Sequence, residues 1–488
     1  MSKNFKQEIV SGVFWQAFER IGNFGIRFLI TIILARLLAP SEFGVIAIML
    51  VFVSLLNVIT DSGFTIALIQ KKDIDQQDCC SVFYINIFIS FIMYFVIYML
   101  APWINDYYNT AGLTLYLRTF SLIVVIRSFS LIQSALLRKR MLFRLSFKIS
   151  WVSLIVSGSI GIIMAYFKYG VWALIAQQIT NAIVSGIMLW TLVKWRPSFL
   201  FDYARISELF RFGWKVFIAN LLDAAYKDLY TLIIGKISDM ETLSFYDRGK
   251  HYPKLVMDII TATVGAVTLP AFSKIQSDRG KMRHLAKEGI NNIMYVVIPV
   301  LTFLFVFSDL LIKLILTEKW LPCTYFLRLS CIIYFFWPFD SINSQVITAI
   351  GRSDVILFLE IVKKIQFVLI IFLTYKYGVA TIVAVSAFFE FVIMIEYGLY
   401  NIKTIDYSPF RELFDISPHL LIGILSGFIS YVLSRCLSND IISILIAGIT
   451  FTFIYFGVSL LLKTIPQTCD NLLKSFTGKI RTTIIKGK

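Results

Sequence analysis

The sequence predicts an all-α polytopic membrane protein of about 14 transmembrane helices: two six-helix lobes in parallel repeat, plus two extra C-terminal helices. Three observations predict it. Of 488 residues, 58% are hydrophobic, 16% aromatic and 16% charged, with a mean hydropathy of +0.77. Soluble domains lie nearer ~45–50% apolar and ~25% charged. Apolar runs of about 20 residues, long enough to cross ~30 Å of hydrocarbon as helix, recur along nearly the whole chain. Finally, the cations between those runs alternate in density from one loop to the next.

In order, the runs cover 11–36, 42–69, 81–101, 114–137, 146–167, 170–193, 208–235, 241–271, 284–307, 322–349, 354–375, 378–402, 417–436 and 440–463. The first is read as a retained helix, because Glu19 and Arg20 interrupt its apolar run and no small-residue cleavage site follows. Each later run is bounded by a loop, and the loops fall into two classes. One side collects Lys3 and Lys6, Lys71 and Lys72, and the basic groups 138–148, 194–215 and 274–287. It also takes Arg352, Lys403, Arg411 and the tail from Lys463, for 28 of the 46 Lys and Arg residues. The other side holds seven: Arg36, Lys168, Lys236, Lys313, Lys319, Lys376 and Arg435. This bias puts both termini in the cytoplasm, and a missed helix would scramble the alternation.

The net charge of +16 therefore serves topology and attraction to anionic membrane lipid. No basic soluble module exists to bind nucleic acid. The six cysteines form no CxxC pair, and His251, His284 and His419 are too scattered for a metal site. No cofactor is expected. Neither a P-loop nor a GxGxxG is present, so the expected energy source is an ion gradient, of H+ or Na+. Asp73-Ile74-Asp75 has the DxD spacing of metal-dependent sugar transferases but sits in a short charged loop, and we read it as a solvated loop. The basic, intermittently apolar tail after Lys463 either lies on the cytoplasmic leaflet or frays.

The chain carries an internal echo. The segment from Ile33 to Gly44 leads from one long helix through a basic residue and an acid-containing turn into the next, and Ile233 to Ser244 repeats the move. Six spans per repeat keep both halves in one orientation. The predicted division is 1–200 and 201–405 for the two lobes with a cleft between them, 406–465 for the extra helices and 466–488 for a basic cytoplasmic tail.

Ala35-Arg36-Leu37-Leu38-Ala39-Pro40-Ser41-Glu42-Phe43-Gly44 resembles the turn after the first helix of oligosaccharide flippases of the polysaccharide transporter family. These belong to the multidrug/oligosaccharidyl-lipid/polysaccharide exporter superfamily. The stretch from Asp61 to Asp73 resembles the end of their second helix, Leu269 to Gln276 the end of the eighth, and Ala349-Ile350-Gly351-Arg352 the turn after the tenth. The resemblance implies a non-enzymatic transporter in a bacterial cytoplasmic (inner) membrane. Its expected cargo is a polyprenyl-pyrophosphate-linked oligosaccharide, moved to the outer leaflet for O-antigen, capsule or exopolysaccharide assembly. Polysaccharide assembly proteins are then possible partners.

The residues themselves point to an anion. Eleven cations lie inside apolar segments: Arg20, Arg27, Arg118, Arg127, Lys227, Arg248, Lys250, Lys254, Arg328, Lys363 and Lys364. A cation near the bilayer centre costs at least ~2.5 kcal/mol, so these must face protein or water. Asn220, Asp223, Lys227 and Tyr230 share one helical face, as do Asp247, His251, Lys254 and Asp258, with Arg248 and Lys250 alongside. The competing reading is internal neutralisation by the i,i+4 pairs Asp223–Lys227, Asp247–His251 and Glu360–Lys364. Near the N-terminus, Glu19, Arg20 and Arg27 could instead form a packing network.

From these we select Arg27, Lys227, Lys250, Lys254, Lys363, Arg20 and Arg248 for pyrophosphate or glycan binding. Arg27 and Lys227 are expected at one cavity, Lys363 is chosen for its lack of an i,i+4 acid, and Tyr226, Tyr230 and Tyr252 are candidate sugar-stacking surfaces. Asp61, Asp223, Asp258 and Glu360 are candidates for ion coupling, and Asp340, Glu390 and Glu396 also lie within spans. A multidrug extruder, a cell-wall precursor flippase and a membrane glycan polymerase or ligase are the alternatives. The cation excess argues against the first and the short outer loops against the last.

Overall fold

The computed structural model describes residues 22–71 and 73–466, and all regular structure among them is helical. Residues 22–37 belong to α1. There follow α2 (Pro40–Asp61), α3 (Phe64–Gln70), α4 (Gln76–Tyr108), α5 (Leu113–Ser128), α6 (Leu131–Lys139), α7 (Phe143–Tyr166), α8 (Val171–Leu192) and α9 (Tyr203–Ile237). Next come α10 (Met240–Lys274), α11 (Arg279–Val306), the short α12 (Ser308–Ile315), α13 (Cys323–Ala349), α14 (Ser353–Thr374), α15 (Val379–Ile405), α16 (Pro409–Arg435) and α17 (Asp440–Leu461). Arg20, Glu19, Lys72 and the tail beyond residue 466 lie outside the described residues.

With α2–α3 and α5–α6 each taken as one span and α12 set aside, these helices fall on the fourteen expected spans. Eight are long and apolar enough to cross a membrane on their own, and the bent α5–α6 pair makes nine. The charged helices α9, α10, α13 and α14 are not among them.

Two spans read as continuous are broken. Between α2 and α3 the chain turns through Ser62 and Gly63, with φ of 46° and 75°. A Cβ on Gly63 would sit 2.4 Å from the Gly213 carbonyl of α9, so two glycines let the backbones meet. Asp61 caps the restart, accepting from the Thr65 N–H (3.0 Å) and hydroxyl (2.5 Å). Between α5 and α6 the axis bends by 48°. There the Phe129 carbonyl, lost to the helix ladder, accepts from Trp190 Nε1 at 2.8 Å. Neither break carries a proline, which is why hydropathy ran straight through both.

The echoed turn has a local cause in each copy. Pro40 opens α2 with its fixed φ, and the Glu42 carboxylate accepts from the Ala39 N–H at 2.7 Å. At the second copy, Asp239 accepts from the Thr242 N–H at 2.7 Å as α10 begins at Met240.

The chain groups into two compact units, Met1–Ser244 and Phe245–Lys488. In the first, α7 lies along α8, α4 along α5, and α2 packs against α4, α5 and α9. Contact packing thus places α9, the seventh span, with the first six, whereas the repeat boundary near residue 200 was drawn from sequence. In the second, α13 runs along α15, α11 lies against α13 and α16, and α16 runs along α17.

The extra helices are joined to the second unit by a buried polar knot. Asn343 of α13 donates to Glu412 of α16 (3.2 Å) and its side-chain oxygen accepts from Asn401 of α15 (2.8 Å), with all three side chains at 0% exposure. Removing a buried partner leaves the others unsatisfied, at ~1–3 kcal/mol. Glu412→Ala is therefore expected to lower the melting temperature in detergent by several degrees, and Glu412→Gln by much less. Equal losses would mean that the carboxylate charge, not its acceptor role, matters.

Candidate substrate-binding site

In the first unit, a pair of arginines lies close together without an acid among the described residues. Arg27 lies exposed on α1, and Arg127 lies in the last turn of α5, just before the break. They are close enough to repel one another. Among the described residues neither holds a carboxylate. The α5–α6 break borders a cavity of about 400 Å³ lined by Arg127, Arg138, Ser130, Ser134, Ser146, Ser150 and Ser185, with no acid in its lining. Guanidinium forks and hydroxyls of this kind suit a phosphate oxygen. Lys227, expected beside Arg27, is instead bound to Asp223 at 2.7 Å on the exposed stripe of α9. For this helix internal neutralisation is what forms.

In the second unit, Lys254 is paired with Asp258 at 2.5 Å, and among the described residues this, rather than Asp247–His251, is the i,i+4 ion pair of α10. Lys250 lies 4.9 Å from the centre of the Tyr246 ring and has no carboxylate among the described residues. Arg248 has partners inside the protein, as do Tyr226, Tyr230 and Tyr252. Gly249, between the two cations, lets α10 approach α13: a Cβ there would lie 2.7 Å from the Leu327 nitrogen. The close crossing fixes the azimuth at which Lys250 leaves the helix.

Lys363, chosen for lacking an acid on its own helix, lies between two acids from other helices, 3.7 Å from Asp340 and 3.8 Å from Glu390. That pairing removes it from the set we assign to substrate. Glu360 accepts from the Tyr397 hydroxyl at 3.3 Å, and Asp61 is occupied by its capping role. Two further intramembrane cations are explained by neighbours: Arg118 stacks on Tyr98 at 3.9 Å, and Arg328 bonds Asp309 at 2.5 Å. Arg27, Arg127 and Lys250 have no counter-acid among the described residues; nor has Arg118, which instead donates to the Tyr98 carbonyl at 3.1 Å.

The sequence reading saw Arg127 but did not select it, and it missed the cavity. A usable signal was present: Ser130 and Ser134, like Ser146 and Ser150, have helical i,i+4 spacing on either side of the basic 138–148 loop. The Asp73-Ile74-Asp75 loop is structural. Asp75 caps α4 by accepting from the Asp78 N–H at 2.8 Å, which holds its carboxyl below the usual carboxylate value, and it also binds Arg205.

A family model described as "Polysaccharide biosynthesis protein" matches residues 33–325, more than half of the chain. The chain belongs to that family. Among relatives of this polysaccharide biosynthesis protein is the succinoglycan biosynthesis transport protein ExoT of Rhizobium meliloti, 25% identical over 56% of this chain and 55% of that one. The match thus spans about half the length of ExoT. The teichuronic acid biosynthesis protein TuaB of Bacillus subtilis is 23% identical over 86% of this chain and 88% of its own. The lipopolysaccharide biosynthesis protein WzxC of Escherichia coli is 21% identical over 75% of each.

The fold of this family member is that of the lipid II flippase MurJ in an inward closed conformation, with a TM-score of 0.69 at 16% identity, covering 93% of this chain and 99% of that one. An inward-facing MATE transporter of the MOP superfamily matches with a TM-score of 0.58 at 13% identity, over 78% of this chain and 94% of its own. The chain thus shares the all-helical fold of those two proteins, as the sequence resemblance implied.

Proposed function

We propose that this protein is a flippase that carries polyprenyl-pyrophosphate-linked oligosaccharide from the cytoplasmic to the outer leaflet of a bacterial inner membrane, by alternating access and with both termini cytoplasmic. One observation carries the reading: neighbouring acids hold Lys227, Lys254, Arg328 and Lys363, whereas Arg27 and Arg127, which repel one another, and Lys250 have none among the described residues. A cation within a membrane span and without a counter-charge is costly unless its binding partner brings the negative charge. Pyrophosphate does so, and the prenyl chain can remain in lipid. The relatives' roles in succinoglycan, teichuronic acid and lipopolysaccharide biosynthesis support a glycan destined for a surface polymer. A proton or sodium gradient would drive net export, and polysaccharide assembly proteins would receive the product.

The test is mass spectrometry of membrane lipids from a strain lacking the gene. A complete polyprenyl-pyrophosphate glycan is expected to accumulate. Accumulation of lipid II would favour the second reading, suggested by the likeness to MurJ. Truncated glycans would indicate a transferase, and an unchanged lipid profile with new drug sensitivity would indicate an extruder.

A further inference from the structure

The second unit holds a charge cluster that substrate binding does not use. Asp340 of α13, Lys363 of α14 and Glu390 of α15 come from three different helices and meet near the middle of each, with side-chain exposures of 14%, 22% and 17%. The ammonium stands almost equidistant from the two carboxyls, 3.7 Å from Asp340 and 3.8 Å from Glu390. Neither Asp340 oxygen has a hydrogen-bond donor among the described residues, and one Glu390 oxygen also lacks one. Fully ionised, two carboxylates and one ammonium leave a net charge of −1 where desolvation is expensive. One added proton makes the cluster neutral and supplies the missing donor.

The surroundings do not remove that excess. Glu360 bonds Tyr397, Glu396 accepts from Gln366, and Lys364 faces the exposed side of α14. Glu360 adds repulsion at Asp340, Asp340 in turn acts on Glu412 of α16, and on α10 Asp247 and Asp258 act on Tyr334 beside the cluster. Among the described residues, Lys363 is the cation acting on Asp340 and Glu390. Two carboxyls set about equally far from one ammonium offer a single proton two nearly equivalent places.

We propose that Asp340, Lys363 and Glu390 form a proton-exchange site that couples export to the transmembrane proton gradient; the export half of this inference rests on the flippase reading. The proton adds to a carboxylate oxygen from water on the acidic side and leaves to water on the other. No bond other than O–H forms or breaks. Loading switches the triad between neutral and singly negative, and that switch biases how tightly α13, α14 and α15 hold together.

Two measurements test it. In the first, infrared titration of the full-length protein in membranes should show one protonated carboxyl at neutral pH that disappears in Asp340→Asn and equally in Glu390→Gln. Removing either acid leaves a neutral pair. Lys363→Met should instead gain a protonated carboxyl. An unchanged band in both acid variants overturns the site. In the second, proteoliposomes flip a fluorescent polyprenyl-pyrophosphate-linked disaccharide with and without a pH gradient. The rate ratio should be several-fold in wild type and fall towards one in the acid variants. A ratio that survives in both, or no gradient effect in wild type, overturns the coupling. If wild type flips no probe at all, the flippase reading fails, and the infrared result still decides whether the triad carries the proton. Melting curves of each variant separate a folding loss from either effect.

Discussion

Arg27→Ala with Arg127→Ala is expected to abolish most export and at the same time leave the protein as stable as wild type or more so. The two effects have one origin. The arginines repel each other and have no acid between them among the described residues, so in the empty protein they contribute unfavourable energy. With a pyrophosphate bound, each forms charge-assisted hydrogen bonds worth ~1.5–3 kcal/mol. Together that is ~3–6 kcal/mol, or roughly a hundredfold or more in apparent affinity at ~1.4 kcal/mol per decade. Surface polymer in a complemented deletion strain should fall accordingly, with the lipid-linked glycan accumulating. Single alanine variants should each lose about half of that free energy. Lysine replacements should recover part of it, because a point charge replaces the bidentate fork. If the double variant melts well below wild type, the arginines are structural and the substrate assignment is wrong.

Gly44→Ala is expected to prevent assembly, although it adds a single methyl group. A Cβ at Gly44 would lie 1.8 Å from the Met240 carbonyl oxygen and 2.6 Å from its carbon. Those are backbone atoms where α10 starts, so no rotamer change relieves the clash and one helix end must move. Overpacking of this kind costs ~1–3 kcal/mol where side chains can yield, and more where only backbone can. Gly25→Ala in α1 is the matched control. Among the described residues nothing lies within 4 Å of its Cβ position, and alanine favours helix over glycine by ~1 kcal/mol. Folded yield in membranes should collapse for Gly44→Ala and hold or rise for Gly25→Ala. Normal yield for Gly44→Ala would mean that the α2–α10 junction is looser than the geometry indicates.

Gly44 also shows what a motif can conceal. The Pro40–Gly44 turn is legible in sequence as a helix start with a capping glutamate, yet the reason for its glycine is a carbonyl 196 residues further on. The same limit separates the site residues. Intrahelical pairing is a matter of spacing, so the Asp223–Lys227 pair was readable as one of two outcomes, and it is the one that forms. The partners of Lys363 lie on α13 and α15, where no periodicity within α14 could reveal them.

The sequence by itself determined the helical class, the placement of fourteen helical segments and the family. Each of these is written in local hydrophobicity, in charge density or in a contiguous motif, and burial in lipid enforces them one segment at a time. Only the tertiary structure decided which cations are neutralised, where the second and fourth spans break, and that Arg127 stands near Arg27 while Lys227 pairs with Asp223. Those outcomes depend on distances between helices far apart in sequence. A buried charge settles with whichever partner packing brings within about 4 Å, because at that range in a low-dielectric interior the nearest counter-charge dominates.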